Sequence, residues 1–370
     1  MRLLRCDTEE LTLQTFNDDS QVPRYAILSH TWLAEQEEVT FFDLHDHEKA
    51  KLKLGWSKLD HSRRRAREDG YLFVWIDTCC IDKGSSAELA EAINSMFRWY
   101  KNAKICYVYP ANFCGVVSVV SNLSEELILK DNFISALQEL LAPVRLHFYD
   151  MDWKCIGVVH RHNTQYCRQS DCRECSHAED IDGFVGKISE ITGIGRAALL
   201  GLSRLDRYSI AQRMCWANRK TTRAEDRAYS LLGIFDINMP VIYGEGHKAF
   251  QRLQHEILRA HSDQSLFAWH AMQHSDVNLS FQDTRILLAP SHLYFRNSNE
   301  IVPLAYKRSR SYEPISVGIR MTLPVMRQEG NLRGILHCAL EDDRTKAIAL
   351  NISLKDDEQE AFLIRDYQRI

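Results

Sequence analysis

Residues able to bind or convert a small molecule follow two apolar runs of the chain, 25–28 and 71–76. They are Ser29, His30, Trp32, Asp77 and Asp82. In open α/β sheets, ligands bind beyond the carboxyl ends of the strands. If both runs are strands of such a sheet, these side chains fall near one edge, and the sequence predicts a ligand site there.

A second group of reactive residues is a cysteine- and histidine-rich stretch that starts at His160 and His162 and continues to residue 177. Thiolates and imidazoles hold Zn²⁺ tetrahedrally, and a Cys-x-x-Cys spacing is typical of such sites. We predict a structural zinc site on Cys167, Cys172, Cys175 and His177. The alternative is a reduced polar loop without metal. Catalytic zinc is not expected, because no paired-histidine helix with a glutamate base is present.

The elements that must position the first group alternate between strands and helices. Apolar runs predict strands at 25–28, 71–76, 105–109 and 144–148, and helical patterns cover 49–69, 88–101 and 124–141. Gly70 can end the first of these helices. Strand–helix alternation indicates an open, mostly parallel α/β sheet with flanking helices, of the flavodoxin-like kind.

The remainder of the chain changes character twice. Residues 181–262 have helical spacing, and 222–225 match a capping box for a helix that runs to residue 235. From residue 285 onward, short β-prone runs separated by polar turns predict an antiparallel region. We therefore divide the chain into an α/β domain (1–150), a Cys/His-rich insertion (151–180), a helical region (181–270) and a β-rich region (271–370).

Composition narrows the functional class. The chain has 370 residues, 46 basic against 50 acidic, and a net charge of −4. This near balance of basic and acidic residues does not indicate a surface that binds polyphosphate, so no nucleic-acid partner is predicted. No apolar run approaches the roughly 18 residues that span a bilayer, and the first residues alternate apolar and polar instead of forming a signal peptide. We expect a cytoplasmic protein without a membrane span.

Three segments resemble fungal heterokaryon-incompatibility (HET) domain proteins. Residues 25–32 (YAILSHTW) and 75–83 (WIDTCCIDK) are close to two HET motifs. Residues 228–246 are similar to the segment that follows the domain in vegetative-incompatibility proteins. HET domains look like distant relatives of TIR domains, so the resemblance implies a TIR-like fold and a role in non-self recognition that ends in programmed cell death.

The resemblance also implies a reaction. Enzymatic TIR domains cleave the nicotinamide–ribose bond of NAD with a helix glutamate, and Glu139 stands at the matching place. Glu139 would then stabilise positive charge on the ribose, while Trp32 stacks on a ring and His30 and Asp77 hold ribose or phosphate. The family's Gly-Trp before this glutamate is replaced by Ile134 and Ser135. That departure favours the alternative, a non-enzymatic module that signals by self-association.

Other readings of the same residues stay open. Glu139 is also explained as a surface glutamate, Trp32 and His30 as core residues, and Asp77 as a turn cap. Glu88 and Glu91 are the next candidate carboxylates, or a solvated helix start. Gly244 and Gly246 predict a structural turn with positive φ. Related proteins often continue into a nucleotide-binding oligomerisation domain that these 370 residues lack. We therefore expect self-association and a separate NLR-like or other incompatibility partner.

Overall fold

The computed structural model describes residues 1–109, 137–161, 181–217, 223–269, 287–304, 312–315, 318–328, 331–354 and 361–369. These residues divide into two compact units, Met1–Ser203 and Arg204–Ile370.

A seven-stranded mixed sheet forms the centre of the first unit. Its strands are β1 (Arg2–Arg5), β2 (Leu13–Thr15), β3 (Ala26–His30), β4 (Phe73–Trp75), β5 (Ile105–Tyr109), β6 (Arg145–Tyr149) and β7 (Cys155–His160). They lie in the order β2-β1-β4-β3-β5-β6-β7. All residues of β3, β4 and β5 are buried, as expected for strands covered on both faces.

The four strands predicted from the sequence are the parallel core of this sheet. β3 pairs in parallel with β4 and β5, and β5 pairs in parallel with β6. The predicted α/β class is therefore confirmed, but the sheet is more mixed than expected. β1, β2 and β7 extend it with antiparallel pairings, and β7 lies in the stretch assigned to the Cys/His-rich insertion.

Seven helices of the described chain belong to this unit. They are α1 (His47–Lys51), α2 (Trp56–Glu68), α3 (Asp77–Cys80), α4 (Ser86–Asn102), α5 (Leu137–Leu141), α6 (Ile181–Thr192) and α7 (Arg196–Leu199). The predicted helical stretch 49–69 is helical, but it forms two helices and not one. A Cβ on Gly55 would lie 2.9 Å from the carbonyl oxygen of Glu37, and this close backbone approach separates α1 from α2. Gly70 ends α2 with φ +80°, as predicted.

Close packing also fixes the edge strand β7. Gly157 faces α6, where an added Cβ would lie 2.5 Å from the ring of Phe184. The same ring packs edge-on against Phe148 of β6, with centroids 5.1 Å apart. β7 can lie against α6 only because position 157 has no side chain.

The second unit contains short helices followed by antiparallel strands. The helices are α8 (Ile210–Trp216), α9 (Asp226–Tyr229), α10 (Leu232–Phe235) and α11 (Lys248–Ala260). The strands are β8 (Ile301–Pro303), β9 (Tyr312–Ile315), β10 (Gly318–Met321), β11 (Val325–Gln328), β12 (Asn331–Leu340), β13 (Ala347–Leu354) and β14 (Ala361–Arg369). β9 and β10 form a hairpin, and the other five form one antiparallel sheet. The predicted β-rich region is confirmed. The predicted single helix up to residue 235 is instead the pair α9 and α10, and its capping residue Thr222 lies outside the described residues.

The glycine turn before α11 takes the predicted form. Gly244 has φ +97° and Gly246 has φ +58°. Both backbone N–H groups donate to Oε1 of buried Glu225, at 2.8 and 2.9 Å. This contact holds the turn against the start of α9 and supports its structural interpretation.

Candidate functional site

The order of the parallel strands determines where a site can form. The four parallel strands lie side by side in the order β4-β3-β5-β6. If they are renumbered 1 to 4 by their order in the chain, this spatial order is 2-1-3-4, which is the flavodoxin-like order. Chain connections leave in opposite directions on either side of β3 and β5, and in sheets of this kind ligands bind beyond the carboxyl ends of these two strands. Ser29 and His30 are the last residues of β3 and lie at this switch point.

Buried His30 is held between a cation and a carboxylate. Its Nε2 lies 2.9 Å from Asp77 Oδ1, and Nζ of Lys58 lies 2.9 Å from its Nδ1. An ammonium group only donates, so Nδ1 is the acceptor and Nε2 carries the proton that is donated to Asp77. The geometry therefore selects one tautomer of a neutral imidazole.

Trp32 is fixed but not buried. Its side chain is 56% exposed, so its interpretation as a core residue is wrong. The indole N–H donates to Asp77 Oδ2 at 2.9 Å, and Nζ of Lys83 lies 3.7 Å from the ring centroid. An indole held in this way offers a ring face to a ligand without further ordering.

Asp77 is the common acceptor of this cluster. Burial alone would raise its pKa, but the hydrogen bond from His30 and the positive charges of Lys83 and Lys58 outweigh burial and lower the pKa to about 2. The carboxylate therefore stays ionised at any physiological pH.

Two residues of this cluster were missed in the sequence. The ammonium of Lys58, buried on α2, donates to Glu38 Oε1 at 2.5 Å and to the carbonyl of Thr31 at 2.9 Å. Burial lowers the pKa of Lys58, and the charge of Glu38 opposes this shift. The available signal was a lysine beside Leu59 on the buried face of α2.

Glu139 lies on the other face of the sheet. Its carboxylate accepts a hydrogen bond from the Ser29 hydroxyl. Ser29 and His30 are adjacent in one strand, so their side chains project to opposite faces. All five residues of α5 are buried, so the interpretation of Glu139 as a surface residue is wrong.

The phenol of Tyr100 on α4 is affected by the charges of both carboxylates, Glu139 and Asp77. Its hydroxyl donates to the carbonyl of Leu28 at 3.2 Å. Burial raises its pKa most, and the charges of Glu139 and Asp77 raise it further. Both carboxylates thus lie within electrostatic reach of one buried phenol, near the carboxyl end of β3.

The remaining candidate carboxylates have local roles. Asp82 Oδ1 accepts the N–H of Gly84 at 2.9 Å, and Glu88 Oε1 accepts the N–H of Asp82 at 2.9 Å. Glu88 also forms an ion pair with Arg2, and Glu91 is exposed on α4. These contacts shape the loop before α4 and add no group to the cluster around Asp77.

The predicted zinc ligands Cys167, Cys172, Cys175 and His177 lie outside the described residues, as does Ser135. Within the described ranges, no group of three or more His, Cys, Asp or Glu side chains is placed to hold a metal ion. In the same ranges, no helix is both long and apolar enough to cross a membrane.

Fold and site together define an α/β protein with a polar cluster at the switch point of its sheet. Residues 25–113 match the heterokaryon incompatibility protein (HET) family, and residues 248–335 match a domain of unknown function (DUF8212). The chain is 40% identical over 268 residues to vegetative incompatibility protein HET-E-1 of Podospora anserina. That alignment covers 70% of this chain and 18% of HET-E-1, so the chain spans less than a fifth of its relative. The chain belongs to the fungal HET-domain vegetative incompatibility proteins. No solved structure matches it.

Proposed function

We propose that this chain acts in heterokaryon incompatibility as a cytoplasmic effector that triggers cell death, and that its HET domain hydrolyses NAD in a TIR-like manner. The incompatibility role is supported by the HET match and by the similarity to HET-E-1. Self-association, driven by a separate incompatibility partner, switches the activity on.

One observation carries the enzymatic part: the Ser29 hydroxyl donates to Glu139 at the carboxyl end of β3, beside the switch point. The hydrogen bond fixes the carboxylate at the edge where ligands of such sheets bind. In the proposed reaction, the bond between ribose C1′ and the nicotinamide nitrogen breaks, and its electron pair leaves with nicotinamide. Water adds to C1′ and releases a proton, giving nicotinamide and ADP-ribose. Glu139 stabilises the positive charge that develops on the ribose.

The second cluster supplies binding. The exposed indole of Trp32 is suited to stacking on a base or on nicotinamide. Lys83, over the same ring, provides a positive charge for the pyrophosphate. His30 and Asp77 hold the indole and its surroundings in place.

The test is NAD turnover by the purified chain, fused to an inducible dimeriser and followed by chromatography of nicotinamide and ADP-ribose. Glu139→Gln removes the negative charge with little change of shape, and Glu91→Gln does the same at an exposed position of α4. We expect Glu139→Gln to lower kcat roughly 100-fold or more, as loss of one electrostatic stabiliser does, and Glu91→Gln to match wild type. Thermal melting of each variant controls for folding.

An absence of NAD turnover by dimerised wild type would remove the enzymatic proposal. The working model would then be a signalling module without catalysis, which is also suggested by the replacement of the family's Gly-Trp by Ile134 and Ser135.

A further inference from the structure

A cavity opens at the end of the first unit's sheet opposite to the candidate site. Its volume is about 750 Å³, which is typical of small-molecule sites. Its walls come from residues just before the parallel strands: Tyr25 before β3, Tyr71 before β4, Lys104 before β5 and Val144 before β6. Since β3 rises about 3.3 Å per residue, this cavity and the cluster at His30 are separated by at least ~13 Å.

The lining of the cavity is rich in basic residues. Four cationic side chains line it: Arg24, Lys101, Lys104 and Arg145. Among the lining residues of the described chain the only acid is Asp19, which pairs with Arg98 at 3.3 Å. The chain as a whole has a net charge of −4, so this concentration of positive charge is local. It favours an anion with several oxygens.

Apolar and aromatic residues also line the cavity, and part of this lining is fixed by hydrogen bonds. Buried Tyr71 and Trp99 contribute to it, together with Val22 and Val144. The Tyr25 hydroxyl donates to the carbonyl of Trp99 at 2.6 Å, and the Lys104 N–H donates to the carbonyl of Tyr25 at 3.0 Å, so the wall does not need to be ordered by a ligand. A lining that combines aromatic and apolar residues with four cationic ones is complementary to a flat ring that carries phosphate.

We propose that this cavity is a second ligand site, separate from the reaction site, that binds a nucleoside phosphate. The phosphates contact Lys101, Lys104 and the two arginines, and the base packs on the aromatic and apolar residues of the lining. The site contributes no group to the cluster at the opposite end of the sheet. Its ligand is therefore an effector of the first unit and not a substrate.

The test uses the full chain and ADP as the probe. Affinity is measured by calorimetry with ADP, adenosine and inorganic phosphate, and 8-azido-ADP is photo-crosslinked and mapped by mass spectrometry. The charge-reversed pair Lys101→Glu with Lys104→Glu is compared with Lys49→Glu with Lys51→Glu, two exposed lysines on α1 outside the cavity. Both pairs change net charge equally, so the comparison isolates position from overall charge.

We expect the cavity pair to weaken ADP binding at least tenfold, which is the loss of one strong phosphate contact, and the α1 pair to change it less than twofold. The crosslink maps to the segments around Tyr71 or 99–104 and persists in Trp32→Ala. Three results would each overturn the proposal. The first is equal ADP affinity in the two charge-reversed pairs, and the second is a crosslink confined to the segments around Trp32 and Asp77. The third is inorganic phosphate that binds as tightly as ADP.

Discussion

The contacts of Asp77 predict how much its ionised carboxylate contributes to the folding stability of the first unit. Asp77 accepts hydrogen bonds from His30 and Trp32, and its pKa falls from 3.8 to about 2. At about 1.4 kcal/mol per pKa unit, this shift corresponds to about 2 kcal/mol of folding stability. Asp77→Asn keeps the shape and removes the charge, so it should lower the unfolding free energy of the first unit by about that amount at pH 7.

The sign of the pH dependence follows from the lowered pKa. The contribution of Asp77 is complete above about pH 5, where the carboxylate is ionised in both states, and is lost as the pH falls from about 5 through 3.8 towards 2. The difference between wild type and Asp77→Asn should therefore be constant from pH 7 to 5 and shrink below pH 4.

Urea unfolding followed by tryptophan fluorescence measures this difference. Five of the seven tryptophans lie in the first unit, so the signal reports mainly on that unit. Equal stabilities at pH 7 would refute the assignment of the lowered pKa to these contacts. A difference that changes between pH 7 and 5 would show that the Asp77 carboxylate is not the group responsible for it.

Three further predictions concern other parts of the chain. Gly157→Ala should destabilise the first unit by about 1–3 kcal/mol, because the new methyl group clashes with the ring of Phe184 on α6. The control is Gly195→Ala, where an added Cβ has no neighbour within 4 Å, and this variant should melt like wild type in calorimetry. Glu225→Gln should lower the melting temperature of the second unit and speed the hydrogen exchange of the Gly244 and Gly246 amides, because an uncharged side chain accepts their two hydrogen bonds less strongly. Unchanged protection of these amides would contradict this role of Glu225. Elemental analysis should find one zinc per purified chain and none in the Cys172→Ser, Cys175→Ser double variant, and a metal-free wild type would remove the zinc prediction.

The sequence predicted the centre of the fold better than its edges. Continuous apolar runs identify β3 to β6, since strands covered on both faces need them. β1 has a half-buried pattern that merges into the polar start of the chain, and β7 adjoins the Cys/His-rich stretch, so neither has a distinct signal.

The candidate site was predictable only in part. Asp77 and His30 each follow or end an apolar run, and the sheet rule places such residues at one edge. The ion pair between Lys58 and Glu38 had no sequence signal strong enough to find it, because it depends on the packing of α2 against the sheet. Strand geometry predicts that the side chains of Ser29 and His30 project to opposite faces of the sheet. It does not predict which residues they contact there.

The strand order also has a consequence for synthesis on the ribosome. β3 is the middle strand of the parallel core, yet both of its neighbours come later in the chain. At ~5–20 residues per second, the interval between the end of β3 and the end of β5 is on the order of 4–16 s. During that time the edge of β3 that pairs with β5 stays unpaired, and until β4 has been made both edges do. Until the third parallel strand has been made, this unpaired apolar edge is a place where a second nascent chain can compete for pairing.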